Sequence, residues 1–218
     1  LPIDASILPP SPAAAAKLFA AGLDHLGFGL DAATRPVFEV TKGRGWERNL
    51  MLMESTVQKY PDRLAVHLIV GLGETEREMA SAMQHWHDLG AVVALFAFCP
   101  VRGTRMADWP PPDLSAYRRL QIARHLICNQ MAVATDFRYN DAGKISGYGG
   151  LARVDGVLNG RAFETSGCPG CNRPFYNERP GGPLYNCPRP LEGGEVAQSL
   201  LESEVPELAR LVRDCPSV

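Results

Sequence analysis

Cys168 and Cys171 stand in the stretch GCPGCNRPFYNERPGG, residues 167–182, separated by Pro-Gly. Two residues between two cysteines lets both thiolates reach one metal ion or cluster. Glycine and proline crowd the sequence that follows, so this loop cannot pack as ordinary core. Arg173 and Arg179 can make forked, charge-assisted hydrogen bonds to a carboxylate or phosphate, or alternatively serve as solvated charges and partners for loop carbonyls. Asn172, Tyr176 and Asn177 add further hydrogen-bonding groups, and the prolines stiffen the backbone that carries them. Cys187 is near enough in sequence to act as a third ligand. A redox pair normally opens a helix after a strand, whereas Pro174 makes a poor helix start. A zinc ribbon needs a second pair of ligands, and the nearest histidine is His125. Structural zinc, a redox disulfide and plain buried thiols stay open beside an iron–sulfur cluster.

The other thiols and imidazoles carry less. Cys99, Cys128 and Cys215 lie in apolar or helical surroundings and read as free buried thiols. His25, His85, His87 and His125 read as structural or solvated. His67 differs, because it lies on a strand that would line a barrel.

With 218 residues, 45% hydrophobic and 21% charged, the chain can bury a sizeable core. A formal charge of -2 gives no pull toward nucleic acid or an anionic membrane. No run reaches the roughly 18 apolar residues of a membrane span, and the first residues lack a signal-peptide pattern, so a cytoplasmic location is expected.

The elements that must position these residues alternate. Ser11-Pro12 starts an alanine-rich helix that Gly22 ends. LDHLGFGLD reads as a strand, residues 46–60 as a helix closed by Pro61, and RLAVHLIV as a strand covered on both faces. Thr75 and Glu78 form a capping box for a helix to about Leu89. AVVALFAF is the next strand, followed by a proline-rich loop and a helix begun near Asp113. This succession predicts right-handed parallel βαβ units within residues 1–135. Residues 136–191 should hold short strands, turns and irregular loop, and residues 192–218 a polar helical tail broken at Pro206.

In parallel α/β folds, ligands collect at the carboxyl ends of the strands, and three of those ends are unusual. Asp31 ends GLD, where its carboxylate can accept from a ribose or amine, or cap the next element. In GLGETE, Gly71 and Gly73 permit close approach of a flat ligand and Glu74 offers a carboxylate, although a plain tight turn would look the same. FCPVRGT places Pro100 after a strand that ends near Phe98.

Together, in this order, these segments resemble the later strands of radical S-adenosylmethionine enzymes, in the biotin synthase and lipoyl synthase branch. That resemblance implies a partial (β/α) barrel binding S-adenosylmethionine across its top. Asp31 would lie near the ribose, Ile69 against the adenine, Gly71, Gly73 and Glu74 in the fifth-strand motif, and Phe98 to Pro100 at the adenine edge. His67 replaces the first glycine of that motif. LPIDASILPP would close the third strand. The family's C-x3-C-x2-C motif, which holds its [4Fe-4S] cluster, is not in the sequence. The expectation is therefore a carboxyl-terminal portion of such an enzyme, unable alone to generate the 5′-deoxyadenosyl radical. The loop at 167–182 is similar to that of two-protein lipoyl synthases, which implies an auxiliary iron–sulfur cluster at Cys168, Cys171 and Cys187. Sulfur insertion into an octanoyl chain on a carrier protein or peptide is the implied reaction. A radical mutase, methylase or maturase, or a zinc-stabilised binding module, is the alternative.

Overall fold

The structure, a computed structural model, describes residues 2–150, 157–167 and 181–214. Four parallel strands form one sheet in sequence order: β1 (Asp4–Ser6), β2 (His25–Asp31), β3 (Leu64–Val70) and β4 (Val92–Ala97). Strands that neighbour in sequence also neighbour in space, the arrangement of an open stretch of (β/α) barrel. The mixed α/β class and the parallel sheet agree with expectation.

Alternation along the strands sorts the two faces. Leu26, Phe28 and Leu30 of β2, Leu64, Val66, Leu68 and Val70 of β3, and Val93 and Leu95 of β4 join the core. They meet side chains from the helices α1 (Pro12–Ala20), α2 (Arg35–Thr41), α3 (Trp46–Lys59) and α4 (Glu76–Asp88), among them Phe19, Phe38, Met53, Met79 and Trp86. Gly27, Gly29, Ala65, His67, Ile69, Ala94 and Phe96 take the intervening positions and belong to the other, inner face.

Local signals explain the helix ends. The Ser11 hydroxyl accepts from Ala14 N at 3.2 Å with Pro12 in the first turn. The capping box at α4 is complete, since Thr75 N donates to Glu78 Oε2 at 2.7 Å and Glu78 N to Thr75 Oγ1 at 3.2 Å. Helix α2 was not among the sequence expectations. It is seven residues long with proline in its first turn, too short for a periodic pattern to stand out.

Helix α5 (Leu114–Cys128) runs beside β4 and serves its outer edge. Tyr117 OH donates to Leu95 O at 3.0 Å, Arg124 Nε to Val93 O at 2.8 Å, and Leu95 N donates to Ser166 Oγ at 2.9 Å. These bonds occupy backbone groups that an open edge would leave free for another chain. Beyond α5 come the short antiparallel pair β5 (Arg138–Tyr139) and β6 (Ile145–Gly147), then α6 (Gly193–Glu202) and α7 (Pro206–Asp214). The tail is broken before Pro206 as expected, with Glu204 at a φ of 57° in the turn.

Residues 163–165 lie alongside Cys187. Cys187 N donates to Phe163 O at 2.8 Å, and Thr165 N to Cys187 O at 2.9 Å. The described segments on either side of residues 168–180 are therefore held together by backbone pairing. Cys168, Cys171, Asn172, Arg173, Tyr176, Asn177 and Arg179 lie outside the described residues.

Candidate functional site

Asp31 is the residue at which β2 departs from regular geometry. The pairing of β2 with β3 runs Gly29 to His67 and then Asp31 to Leu68, so Leu30 is an extra residue in the ladder. Asp31 has a φ of 69°, and Ala32 N donates to Leu30 O at 2.9 Å. This is a tight three-residue turn of the strained, positive-φ kind. Bulges of this sort re-aim a side chain. Here the Asp31 carboxylate folds back over the inner face, with Oδ1 3.1 Å from where a Cβ on Gly29 would stand.

The carboxylate is already engaged. Lys42, just past the end of α2, donates to Asp31 Oδ2 at 2.7 Å and also to Gly29 O. The helix that carries this lysine to the strand tip starts at Thr34 rather than at Asp31, so Asp31 is not the helix cap.

Around this pair the strand ends enclose a cavity of about 370 Å³, lined by Asp31, Lys42, Ile69, Leu72, Phe96, Phe98, Cys99 and Met106 among others. Three residues singled out from three different strand ends, Asp31, Ile69 and Phe98, thus line one cavity. Phe98 N donates to Val70 O at 2.9 Å, which extends the pairing past β4 and holds Phe98 against the tip of β3. A cavity of this size with mostly apolar walls and one charged pair at its rim suits a flat ring system with a polar arm.

The remaining fifth-strand residues are elsewhere. Gly71 and Glu74 line a neighbouring cavity of about 300 Å³, with Pro112, Asp113 and Lys144. Gly71 N donates to Glu74 Oε1 at 3.0 Å, while the buried Glu74 Oε2 has no hydrogen-bond partner among the described residues. Burial pushes the Glu74 carboxyl up to about 7, against the lowering effect of its backbone hydrogen bonds. Gly73 is exposed at a φ of 115° and Pro100 is half-buried, and neither lines the two cavities.

His67 lies one rung below Ile69 on the inner face of β3, about 6.6 Å along the strand. Its ring packs against Phe96 with centroids 5.0 Å apart. A Cβ on Gly27 would come within 2.8 Å of Nε2, so the glycine is what lets the imidazole lie across β2. Burial lowers the His67 pKa and Lys42 adds to that, with Asp31 opposing, so the ring is held toward its neutral form.

Cys187 belongs to a separate cavity of about 380 Å³ between α5 and α6, together with Arg118, Phe163, Leu191 and Ser199. Glu202 and Glu195 of that cavity are paired with Arg118 at 2.9 Å and Arg189 at 2.6 Å. Among the described residues no three His, Cys, Asp or Glu side chains are grouped to hold a metal ion.

Sequence reasoning missed Lys42, Phe96, Met106 and the exposure of Cys99 to the cavity. A lysine shortly after an unusual strand-end aspartate was the available signal for the first. The others depend on how the loop at 99–109 folds over the strand ends, which no local pattern reports.

No family model and no curated protein matches the chain. Among solved structures, hydroxymethylglutaryl-CoA lyase from Pseudomonas aeruginosa is similar at a TM-score of 0.41 and 11% identity, covering 98% of this chain and 75% of that one.

Proposed function

We propose that the chain is the later barrel portion of a radical S-adenosylmethionine enzyme of the sulfur-insertion type, and that the cavity at the strand ends receives the adenosine of that cofactor. The observation that carries this reading is that Asp31, Ile69 and Phe98 line the same cavity. These residues come from three separate strands, and the resemblance assigns each of them to the same nucleoside.

The lining fits the group. Ile69, Leu72, Phe96, Phe98 and Met106 offer apolar faces to a purine, and the Asp31–Lys42 pair offers charge at the rim. S-adenosylmethionine, together with a reduced [4Fe-4S] cluster, supplies the one-electron chemistry that breaks an unactivated C–H bond. The residues of this chain bind and orient. Ile69 and Phe98 exclude water from the ring faces, and Lys42 fixes the Asp31 carboxylate at the tip of β2. Of the three cysteines the resemblance assigns to the cluster, only Cys187 is among the described residues, and it lines the cavity between α5 and α6.

Isothermal titration of the chain with S-adenosylmethionine tests the reading. Saturable binding is expected, weakened about tenfold by Ile69→Ala or Asp31→Ala, as loss of one buried contact or charge-assisted hydrogen bond implies. Absence of binding, or indifference to both substitutions, would remove adenosine from the cavity. Anaerobic loading with iron and sulfide tests the second half. A charge-transfer absorption that vanishes in Cys168→Ala/Cys171→Ala is expected, whereas a colourless protein holding one zinc favours the structural-metal alternative.

A further inference from the structure

The cavity beside Glu74 shares no lining residue with the one at the strand ends. Two glycines bring its walls together. At Gly71, with a φ of 101°, a Cβ would stand 3.1 Å from Pro112 Cδ, so the end of β3 meets the segment that leads into α5. At Gly143 a Cβ would come within 2.9 Å of Thr75 Cβ, and Arg77 N donates to Gly143 O at 3.0 Å, which holds the β5–β6 turn against the start of α4. Glu74 lines the space of about 300 Å³ that these three segments leave.

Most polar groups of this lining are already engaged. Thr75 N and Oγ1 both donate to Glu78, Glu76 accepts from Arg119 and from Ile145 N, and Lys144 Nζ pairs with Glu204 at 3.3 Å. Glu74 is provided for by half. Oε1 accepts from Gly71 N, whereas Oε2 is buried with no hydrogen-bond partner among the described residues. A buried polar atom in that condition costs stability, and a donor brought by a ligand removes the cost. Asp113, on the same lining, makes no capping bond to α5. The open positions are therefore carboxyl oxygens, which call for a ligand with N–H donors and positive charge. A bare metal ion is a poor match, because among the described residues no three His, Cys, Asp or Glu side chains are grouped to hold one. Val70, Pro112, Ala116 and Leu120 add apolar wall suited to a short alkyl stem. We propose that this cavity binds a small primary amine in its ammonium form, with the Glu74 carboxylate taking the ammonium and the apolar wall its stem. Nothing in this depends on a nucleoside at the strand ends. Burial, with a lesser push from Glu78, favours the protonated Glu74 carboxyl, and an ammonium beside it favours the ionised form, so binding should release a proton.

n-Butylamine, n-butanol and butyrate, titrated against the chain by ligand-observed NMR at pH 7, test it. The amine should saturate, the alcohol should bind about tenfold more weakly for want of a charge-assisted bond, and butyrate should not bind. Glu74→Gln, which keeps the shape without the charge, should bring the amine down to the level of the alcohol, and Asp113→Asn should weaken it less. Calorimetry in buffers of different ionisation enthalpy should show about half a proton released per amine bound at pH 7, the share that a carboxyl titrating at about 7 still holds, and none released by Glu74→Gln. If the alcohol binds as tightly as the amine, or Glu74→Gln leaves amine binding unchanged, Glu74 does not take an ammonium. Absence of saturable amine binding, or binding without proton release, would overturn the proposal as well.

Discussion

At the scale of single residues, Glu74 shows how burial sets the behaviour of a carboxylate at a strand end. Its carboxylate turns back onto Gly71 N and lines a cavity distinct from the one that holds Ile69. Burial raises its pKa from 4.5 to about 7, so between those values the folded chain keeps a proton that the unfolded chain has lost. Stability must then fall as pH rises through this window and level off above it. Chemical denaturation at pH 5 and pH 8 should show a loss on the order of 3 kcal/mol at most from this group. Glu74→Gln, which holds the neutral form at every pH, should flatten that part of the profile and be the more stable protein at pH 8.

Elements are joined by a small number of buried polar anchors, of which Arg119 on α5 is the most central. Its Nε and Nη2 meet Glu76 of α4 at 2.9 and 2.6 Å, and Nη1 donates to Ser203 O at the end of α6 at 2.8 Å. Glu76 Oε2 also accepts from Ile145 N of β6 at 2.8 Å. One guanidinium thus ties α4 and α5 to the hairpin and to the tail. Arg119→Ala would leave Glu76, its side chain 11% exposed, without its cationic partner, so a destabilisation of about 3 kcal/mol in chemical denaturation is expected. Lysine cannot reproduce the forked contact, and Arg119→Lys should recover little. Adding Glu76→Leu to Arg119→Met should cost less than the sum of the two single changes, because the orphaned charge is then gone.

For the molecule as a whole, the chain after α5 is bound to the sheet and its helices by a buried network rather than by apolar contact alone. Arg118 donates to Leu184 O and Tyr185 O at 2.9 and 2.7 Å, and Gln121 Nε2 to Tyr185 O at 2.8 Å. Asn186 Nδ2 donates to Tyr117 OH at 3.0 Å, while that tyrosine reaches the β4 carbonyl of Leu95. Residues 184–186 are in this way indexed to the sheet through α5. Asn186→Ala would leave buried partners unsatisfied at a cost of about 1–3 kcal/mol. Segment 184–187 should then open more often, and Cys187, only 9% exposed, should be alkylated about tenfold faster, as peptide-level mass spectrometry would read. An unchanged rate would mean that the pairing with Phe163 and Thr165 alone holds the base of the loop.

Much of the parallel sheet and its helices was legible along the chain because their signals are local. Ser11-Pro12, the Thr75–Glu78 box and the apolar runs of β2, β3 and β4 each reflect contacts made within a few residues, and they appear where expected. The broken tail at Pro206 is legible for the same reason. Asp31, Ile69 and Phe98 could be named because strand ends are marked by a change in composition, and parallel strands in sequence order bring their ends together. Sequence alone therefore determined the class of the sheet, the end of it that carries the candidate site and which strand-end residues to inspect. The tertiary structure decided the rest: the Lys42 bond that engages Asp31, the separation of Glu74 from Ile69, the Gly27 gap that admits His67, and the turning of Cys187 toward α5 and α6. The Gly27 gap and the turning of Cys187 depend on packing between segments distant in sequence, while Lys42 and Glu74 lie near Asp31 and Ile69 along the chain but turn as the packing around them, and not the local pattern, directs.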